Sequence, residues 1–251
     1  MASGPVGIIT GGLRGIGAAT AVEFAKLGAR VLLADLSLEG ADALSERVQL
    51  QGGEVMCLTG DVRDPQVHEE IVRQVLKRWG RIDFLYANAG IAEQTSIATG
   101  DPALWRAVIE TNLLGVIYAT HAALPSMIDQ ASGHIFITSS TSGRESYVGE
   151  PVYQASKWGQ IGFAHALRLE LQGTNIRVTV VEPGIVDTPL TRDNPAVRSL
   201  LESCVPLLPE DVARAVVFAY QQPARVSVSE IVIRPQHEPP PEIGISRDEA
   251  P

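Results

Sequence analysis

Residues 6–17 read Val-Gly-Ile-Ile-Thr-Gly-Gly-Leu-Arg-Gly-Ile-Gly. A short β-branched run passes without a linker into a glycine cluster, and a helical pattern follows over 16–27. The chain must turn sharply there. Glycine permits that turn, lets the backbone approach a pyrophosphate closely and leaves N–H groups free at a helix N-terminus. Gly11, Gly15, Ile16 and Gly17 are therefore candidate phosphate contacts. The spacing Gly-x-x-x-Gly-x-Gly departs from the Gly-x-Gly-x-x-Gly fingerprint, so the cluster alone is weak. Asp35 adds weight. It ends the next strand-like run, where a carboxylate can accept hydrogen bonds from an adenosine ribose. A carboxylate there disfavours a 2′-phosphate, so NAD is expected over NADP. Arg14, a cation inside the glycine turn, argues the other way, while the neighbouring Leu36 offers no second cation.

Outward from this turn, strand-like runs alternate with helical patterns. Strands are expected over 6–9, 30–34, 54–58, 82–86, 134–138, 176–181 and 230–234. Helices are expected over 16–27, 39–50, from 65 to 80, 102–110, 113–128, 152–171 and 210–220. Such alternation implies right-handed crossovers and a mostly parallel sheet. Continuous apolar runs suit a sheet covered on both faces. The expected fold is α/β, a single Rossmann-like doubly wound domain over residues 1–234. A Pro/Glu-rich tail over 235–251 is expected to be mobile or to lie on a neighbour.

The totals set limits. The chain has 251 residues, 45% of them hydrophobic and 20% charged, which is globular composition. Its formal charge of −9 with no basic block excludes bulk electrostatic binding to nucleic acid or an anionic membrane. No long uninterrupted apolar stretch or leader pattern is read, so no membrane span is expected. Cys57 and Cys204 lack metal-ligand spacing and are too few for a disulfide framework. The five histidines form no ligand cluster. Two reduced thiols, no metal and a cytoplasmic location are the expectation.

A second set of residues falls at the same sheet edge. Tyr153 and Lys157 lie four apart on an expected helix, and so on one face. Ser140 follows the strand over 134–138. Asn88-Ala89-Gly90 follows the strand over 82–86, and Thr111-Asn112 precedes a helix. Pro183-Gly184-Ile185-Val186-Asp187-Thr188 follows the strand over 176–181. Most of these stand at strand carboxyl ends, where open α/β sheets bind ligands. In this combination the sequence resembles the short-chain dehydrogenase/reductase family, in its compact branch, from Val6 to about Arg234.

The resemblance implies roles residue by residue. Gly11, Gly15 and Gly17 would contact the pyrophosphate region and Asp35 the ribose. Asp61 and Val62 would border the adenine, and Asn88, with Ala89 and Gly90, the ribose side of the central strand. Ser140, Tyr153 and Lys157 would be the catalytic set, with Asn112 joining through a water relay. Val186 and Thr188, after Pro183 and Gly184, would hold the nicotinamide carboxamide. The resemblance also favours a homotetramer or homodimer. Two places depart from the family pattern. Glu182 precedes Pro183-Gly184 where many relatives carry a neutral residue, and the C-terminus reads Ser-Glu-Ile-Val-Ile-Arg-Pro instead of ending a strand in glycine.

The chemistry is coherent. A free tyrosine, with pKa ~10, is a poor base at neutral pH. A lysine ammonium ~5 Å away, at an effective dielectric of ~20, contributes about 3 kcal/mol, or roughly 2 pKa units. The positive nicotinamide ring adds to that shift in the oxidised complex, so Tyr153 next to Lys157 and NAD⁺ is expected to be the general acid/base, with Ser140 steadying charge on the substrate oxygen. Each residue also has a plainer reading. Ser140 sits in a turn-like Ser/Thr cluster, and Asn112 alone reads as a helix cap.

The substrate pocket is expected between loops 91–100, 141–151 and 184–208. Their polar residues, Arg144, Glu145, Tyr147, Glu150, Arg192, Asp193 and Asn194, hint at a small hydroxylated molecule. Three functions stay open at this level. One is an NAD-dependent alcohol dehydrogenase or carbonyl reductase acting on a small alcohol or ketone. A second is a dehydratase, epimerase or imine reductase. The third is a dinucleotide-binding sensor or scaffold without catalysis.

Overall fold

The computed structural model describes residues 4–194, 198, 201 and 204–237. Seven strands form one parallel sheet: β1 Val6–Thr10, β2 Arg30–Asp35, β3 Glu54–Thr59, β4 Phe84–Ala87, β5 Gly133–Thr138, β6 Ile176–Pro183 and β7 Glu230–Ile233. Their order is β3-β2-β1-β4-β5-β6-β7, so the winding reverses between β1 and β4. The register pairs Ile8 with Leu32 on one side and with Leu85 on the other. Since every strand points the same way, Thr10, Asp35, Ala87, Thr138 and Pro183 share one edge. This is the doubly wound architecture expected from the sequence.

Two apolar cores cover the sheet, one on each face. On one face α3 Pro65–Trp79, α5 Gly115–Asp129 and α6 Pro151–Glu170 bury Ile71, Val75, Ala123, Met127 and Leu167 against Ile8, Leu32, Leu85 and Ile135. On the other, α1 Gly15–Ala25, α2 Ala41–Leu50 and α8 Pro209–Tyr220 bury Phe24, Val48 and Val216 against Ile9, Leu33, Tyr86 and Phe136. Alternate strand residues thus feed alternate cores. Gly7 serves the second core by absence. A Cβ there would lie 2.0 Å from the Phe84 ring, which stacks on Phe24 with centroids 4.0 Å apart.

Local chemistry sets the helix ends. Asp64 caps α3 by accepting the Gln66 N–H at 2.9 Å, Pro65 opens it, and Gly80 closes it at φ +75°. Asp101 caps α4 Pro102–Ile109 in the same way, through the Ala103 N–H at 2.8 Å.

Several boundaries differ from expectation. Helix α1 stops at Ala25 instead of 27, and α2 starts at Ala41 instead of 39. Strand β4 starts at Phe84 instead of 82, while β6 runs on to Pro183. Asp83 precedes β4 and spends a carboxylate oxygen on the Val6 N–H at 2.8 Å. A short helix, α7 Pro189–Arg192, follows β6.

The larger correction concerns Asn112, which was expected just before a helix. It lies inside a π-helical turn, Glu110–Leu114, that fuses α4 and α5 into one continuous helix. That combined helix, Pro102–Asp129, is long and apolar enough by composition to cross a membrane. Its residues Val116, Ala119, Ala123 and Met127 are instead packed in the core. The tail expected over 235–251 lies outside the described residues beyond His237.

Candidate active site

A cavity of about 780 Å³ opens along the carboxyl edge of the sheet. Asp35, Leu36 and Arg14 line one end, and Ser140, Tyr153 and Lys157 line the other. The glycine turn forms the floor between them. Gly11 and Gly15 adopt φ +60° and +52°, a left-handed conformation that side chains disfavour. A Cβ on Gly11 would stand 2.9 Å from the Ala89 Cα. Helix α1 begins here with Arg14 at its cap, no side-chain capping bond and no acid in its first turn. Its first-turn N–H groups and dipole thus meet the cavity wall, an arrangement that suits an anion.

Gly17 differs from its expected role. It does not line the cavity, and a Cβ there would meet the Gly11 carbonyl at 2.1 Å. It lets the helix close against its own entry turn. Ile16 does line the cavity.

Asp35 is only 9% exposed. Its Oδ2 accepts the Leu13 N–H at 3.1 Å and its Oδ1 the Leu36 N–H at 2.9 Å. Neutral dipoles hold the carboxylate, and no cation pairs with it among the described residues. Next along the wall, Asp61 is gripped by Arg63, whose Nε lies 2.9 Å from Oδ2 and whose Nη2 lies 2.5 Å away. That bond holds the Asp61 carboxyl below its usual range. Arg63 itself lines the cavity, a cation that the sequence reading did not single out. Val62, on the same lining, is buried.

Asn88 ties three strand ends together. Its Nδ2 donates to the carbonyls of Thr10 at 3.2 Å and Gly11 at 3.1 Å, and its Oδ1 accepts the Thr138 hydroxyl at 3.1 Å. Ala89 and Gly90 follow it along the wall. Beyond them, Pro183, Gly184, Val186 and Thr188 line the far side, with the Thr188 methyl lying against Gly15.

At the reactive end, Lys157 is buried. Its Nζ donates to the Thr138 carbonyl at 2.9 Å and lies 5.4 Å from the Tyr153 ring centroid. Ser140, in extended backbone, caps the 3-10 turn Thr141–Gly143 by accepting the Ser142 N–H at 3.1 Å. Its hydroxyl also stands near the Tyr153 phenol, whose ionised form it favours. Ser140 thus has both the capping role and the contact expected of a catalytic residue.

The expected electrostatics need correction. Desolvation pushes the Tyr153 phenol well above its usual range, the Glu150 carboxylate adds to the rise, and the Ser140 hydroxyl opposes it. Desolvation pulls Lys157 down to about 7. In the protein alone, loss of water outweighs the attraction that was expected to acidify the phenol.

Asn112 sits behind the wall, fully buried, and does not line the cavity. Its amide clasps Ile91, accepting the N–H at 2.9 Å and donating to the carbonyl at 3.0 Å, and donates also to Ser156 at 3.1 Å. Its backbone carbonyl accepts from Gln160. The side chain therefore braces the cavity wall against α6.

The expected pocket loops contribute unevenly. Asp193 and Asn194 line the cavity, but Arg192 pairs with Asp187 at 2.6 Å. Arg144 and Glu145 turn away, toward Glu182 and Arg234 respectively. Residues 195–197, 199–200 and 202–203 of the third loop lie outside the described residues. Glu93 and Gln94, inside the expected loop 91–100 but not singled out there, line the cavity. Buried Glu93 accepts the Trp105 indole N–H at 3.2 Å, a contact between loop and helix that no local pattern signals.

Fold and site together define a dinucleotide-binding oxidoreductase. The model of the short chain dehydrogenase family matches residues 5–198. An uncharacterized oxidoreductase of Staphylococcus saprophyticus is 35% identical over 233 residues, covering 92% of this chain and 97% of its own. The 3-oxoacyl-[acyl-carrier-protein] reductase of Thermotoga maritima is 39% identical over 220 residues, 86% of this chain and 89% of its own. Among solved structures, an alcohol dehydrogenase from the archaeon Thermococcus sibiricus, complexed with 5-hydroxy-NADP, superposes with a TM-score of 0.85. It is 29% identical and covers 94% of this chain and 98% of its own. The chain belongs to the short-chain dehydrogenase/reductase family, and it is an oxidoreductase of that type.

Proposed function

We propose that the protein transfers a hydride between a nicotinamide dinucleotide, NAD(H) in preference to NADP(H), and the CH–OH or C=O group of a small alcohol or ketone. One observation carries this reading: Ser140, Tyr153 and Lys157 meet at one end of a cavity whose other end is Asp35. The left-handed glycines, the uncapped start of α1 and the carboxylate beyond them fit a dinucleotide along that length. When bound, the nicotinamide supplies or takes the hydride.

The chain's residues manage the proton. The desolvated Tyr153 phenol stays protonated, which suits donation to a carbonyl oxygen during reduction. Ser140, on the same wall, donates a hydrogen bond to that oxygen as negative charge gathers there. In oxidation the phenol must lose its proton. Lys157, when charged, stabilises the phenolate, and positive charge on the oxidised cofactor adds to that effect. The Asp35 carboxylate, without a cation partner among the described residues, accepts ribose hydroxyls and repels a 2′-phosphate, which supports NAD.

The test is a screen of polyols, hydroxy acids and ketones for absorbance change with NAD⁺ or NADH. On a confirmed substrate, Tyr153→Phe should cut kcat by roughly 10²- to 10⁴-fold while NADH still binds. Full turnover by that variant would remove Tyr153 from the mechanism.

A further inference from the structure

Three segments bring the reacting groups together. The turn after β5 carries Ser140, α6 carries Tyr153 and Lys157, and the end of β6 carries Pro183 and Gly184 into the cavity. One ion cluster touches all three, and none of its members lines the cavity.

Its centre is Arg144, which directly follows the turn Thr141–Gly143 and donates its backbone N–H to the Thr141 carbonyl at 2.9 Å. The guanidinium meets Glu182 as a fork. Nε bonds one carboxylate oxygen, and Nη2 reaches the other at 2.8 Å. The same Nη2 bonds Glu230, the first residue of β7. Glu230 also receives His165 at 2.6 Å and lies 3.6 Å from Arg168, both on α6. Arg168 donates further to the carbonyls of Val178 at 3.1 Å and Ser229 at 2.6 Å.

Glu182 is 0% exposed, and its backbone continues directly into Pro183-Gly184. A carboxylate at that depth needs a fixed cationic partner. A guanidinium fork fixes direction as well as distance, which a single ammonium contact does not. Arg144 is four residues from Ser140 on one side of the pair, and Glu182 is one residue from Pro183 on the other.

We infer that Arg144 and Glu182 are positioning residues, whose forked ion pair sets the spacing between the Ser140 turn and the Pro183-Gly184 turn and so aligns Ser140 with Tyr153. The inference rests on the catalytic set proposed above. The competing explanation is that Arg144 merely neutralises a buried carboxylate.

Steady-state kinetics on Arg144→Ala, Arg144→Lys and the double variant Arg144→Met/Glu182→Gln separate the two. The double variant removes the buried Glu182 charge together with that of Arg144, and Glu230 keeps His165 and Arg168, so no buried carboxylate is left to neutralise, but the fork is gone. Positioning predicts that it and Arg144→Ala lose roughly tenfold to a hundredfold in kcat, as expected for a small misplacement of reacting groups. Affinity for NADH, set at the Asp35 end, should stay within about twofold. Arg144→Lys should recover only part of kcat, and added guanidinium should restore part of the turnover of Arg144→Ala. Wild-type kcat in the double variant, or in a folded Arg144→Ala, overturns the inference. If Arg144→Ala does not fold, the double variant decides. If neither folds, wild-type kcat in Arg144→Lys, which keeps the charge without the fork, overturns it. A wild-type protein without turnover on any alcohol or ketone would instead refute the proposed function.

Discussion

Asp35 and Glu182 occupy comparable places on opposite flanks of the sheet. Each is buried near the carboxyl end of a strand, on the ligand-binding edge. Their partners differ. Asp35 is held by two backbone N–H groups and faces the cavity, whereas Glu182 is held by the Arg144 guanidinium and faces away from it. Backbone dipoles orient a carboxylate without cancelling its charge, so on the proposed reading Asp35 keeps that charge for the ribose. A guanidinium cancels it, and Glu182 is spent on holding the chain together. Burial alone therefore does not tell a binding carboxylate from a structural one. The partner does.

The sharpest challenge to this contrast is to remove the partner. Arg144→Ala strands a fully buried carboxylate and should cost about 3–5 kcal/mol, lowering Tm by about 6–20 °C. Glu182→Gln should cost about 1 kcal/mol, because Arg144 keeps Glu230 and solvent. Thermal unfolding of the two variants checks the asymmetry, and equal losses would break the comparison.

At the other carboxylate the effect should fall on binding. Asp35→Ser should shift the NADPH-to-NADH affinity ratio toward NADPH by about tenfold to a hundredfold, or roughly 1.4–2.8 kcal/mol. Tm should move by no more than about 4 °C, since serine keeps an acceptor for one of the two N–H groups. Fluorescence titration with both coenzymes reads the ratio. Tighter NADPH than NADH binding in the unaltered protein would overturn the role given to Asp35.

Lys157 is a buried charge of the other sign, without a carboxylate partner among the described residues. Its amine is pulled from 10.5 to about 7 by burial. Between those values the unfolded chain binds a proton that the folded chain has released. Stability therefore rises as pH climbs from about 7, by about 1 kcal/mol per unit. Lys157→Met should flatten that rise between pH 7 and 9, raise Tm at pH 7 and abolish turnover. Denaturant unfolding across this range is the measurement, and parallel curves for the two proteins would count against it.

Much of this was legible because it is local. The strand, glycine turn and helix over 6–27, the carboxylate at Asp35 and the Tyr153/Lys157 pair each sit within a short window. The rest depends on contacts between distant residues. Arg144 meets partners 38 and 86 residues away, and no pattern around Glu182 announces that a guanidinium will cover it. The raised pKa of Tyr153 in the protein alone was not visible for the same reason. Its neighbour Lys157 is visible in the sequence, but the loss of water around both is a property of the folded surface. Asn112 was found as a candidate but not understood, since the π-helical turn that aims it at Ile91 leaves no mark in apolar periodicity.

That turn has a further consequence. Each helical residue adds about 100° of rotation. Regular winding of 110–114 at the same residue count would swing α4 by that angle relative to α5, because the π-helical turn takes up one extra residue. Trp105 on α4 holds Glu93 at 3.2 Å and Thr95 at 3.3 Å, so the substrate end of the cavity would turn with it. The outline of the chamber is thus stored as a phase offset in a helix. Two chains with identical lining residues but different winding in this stretch would enclose different spaces, and a change from the wide turn to a regular one would redirect the protein to new molecules without touching Ser140, Tyr153 or Lys157.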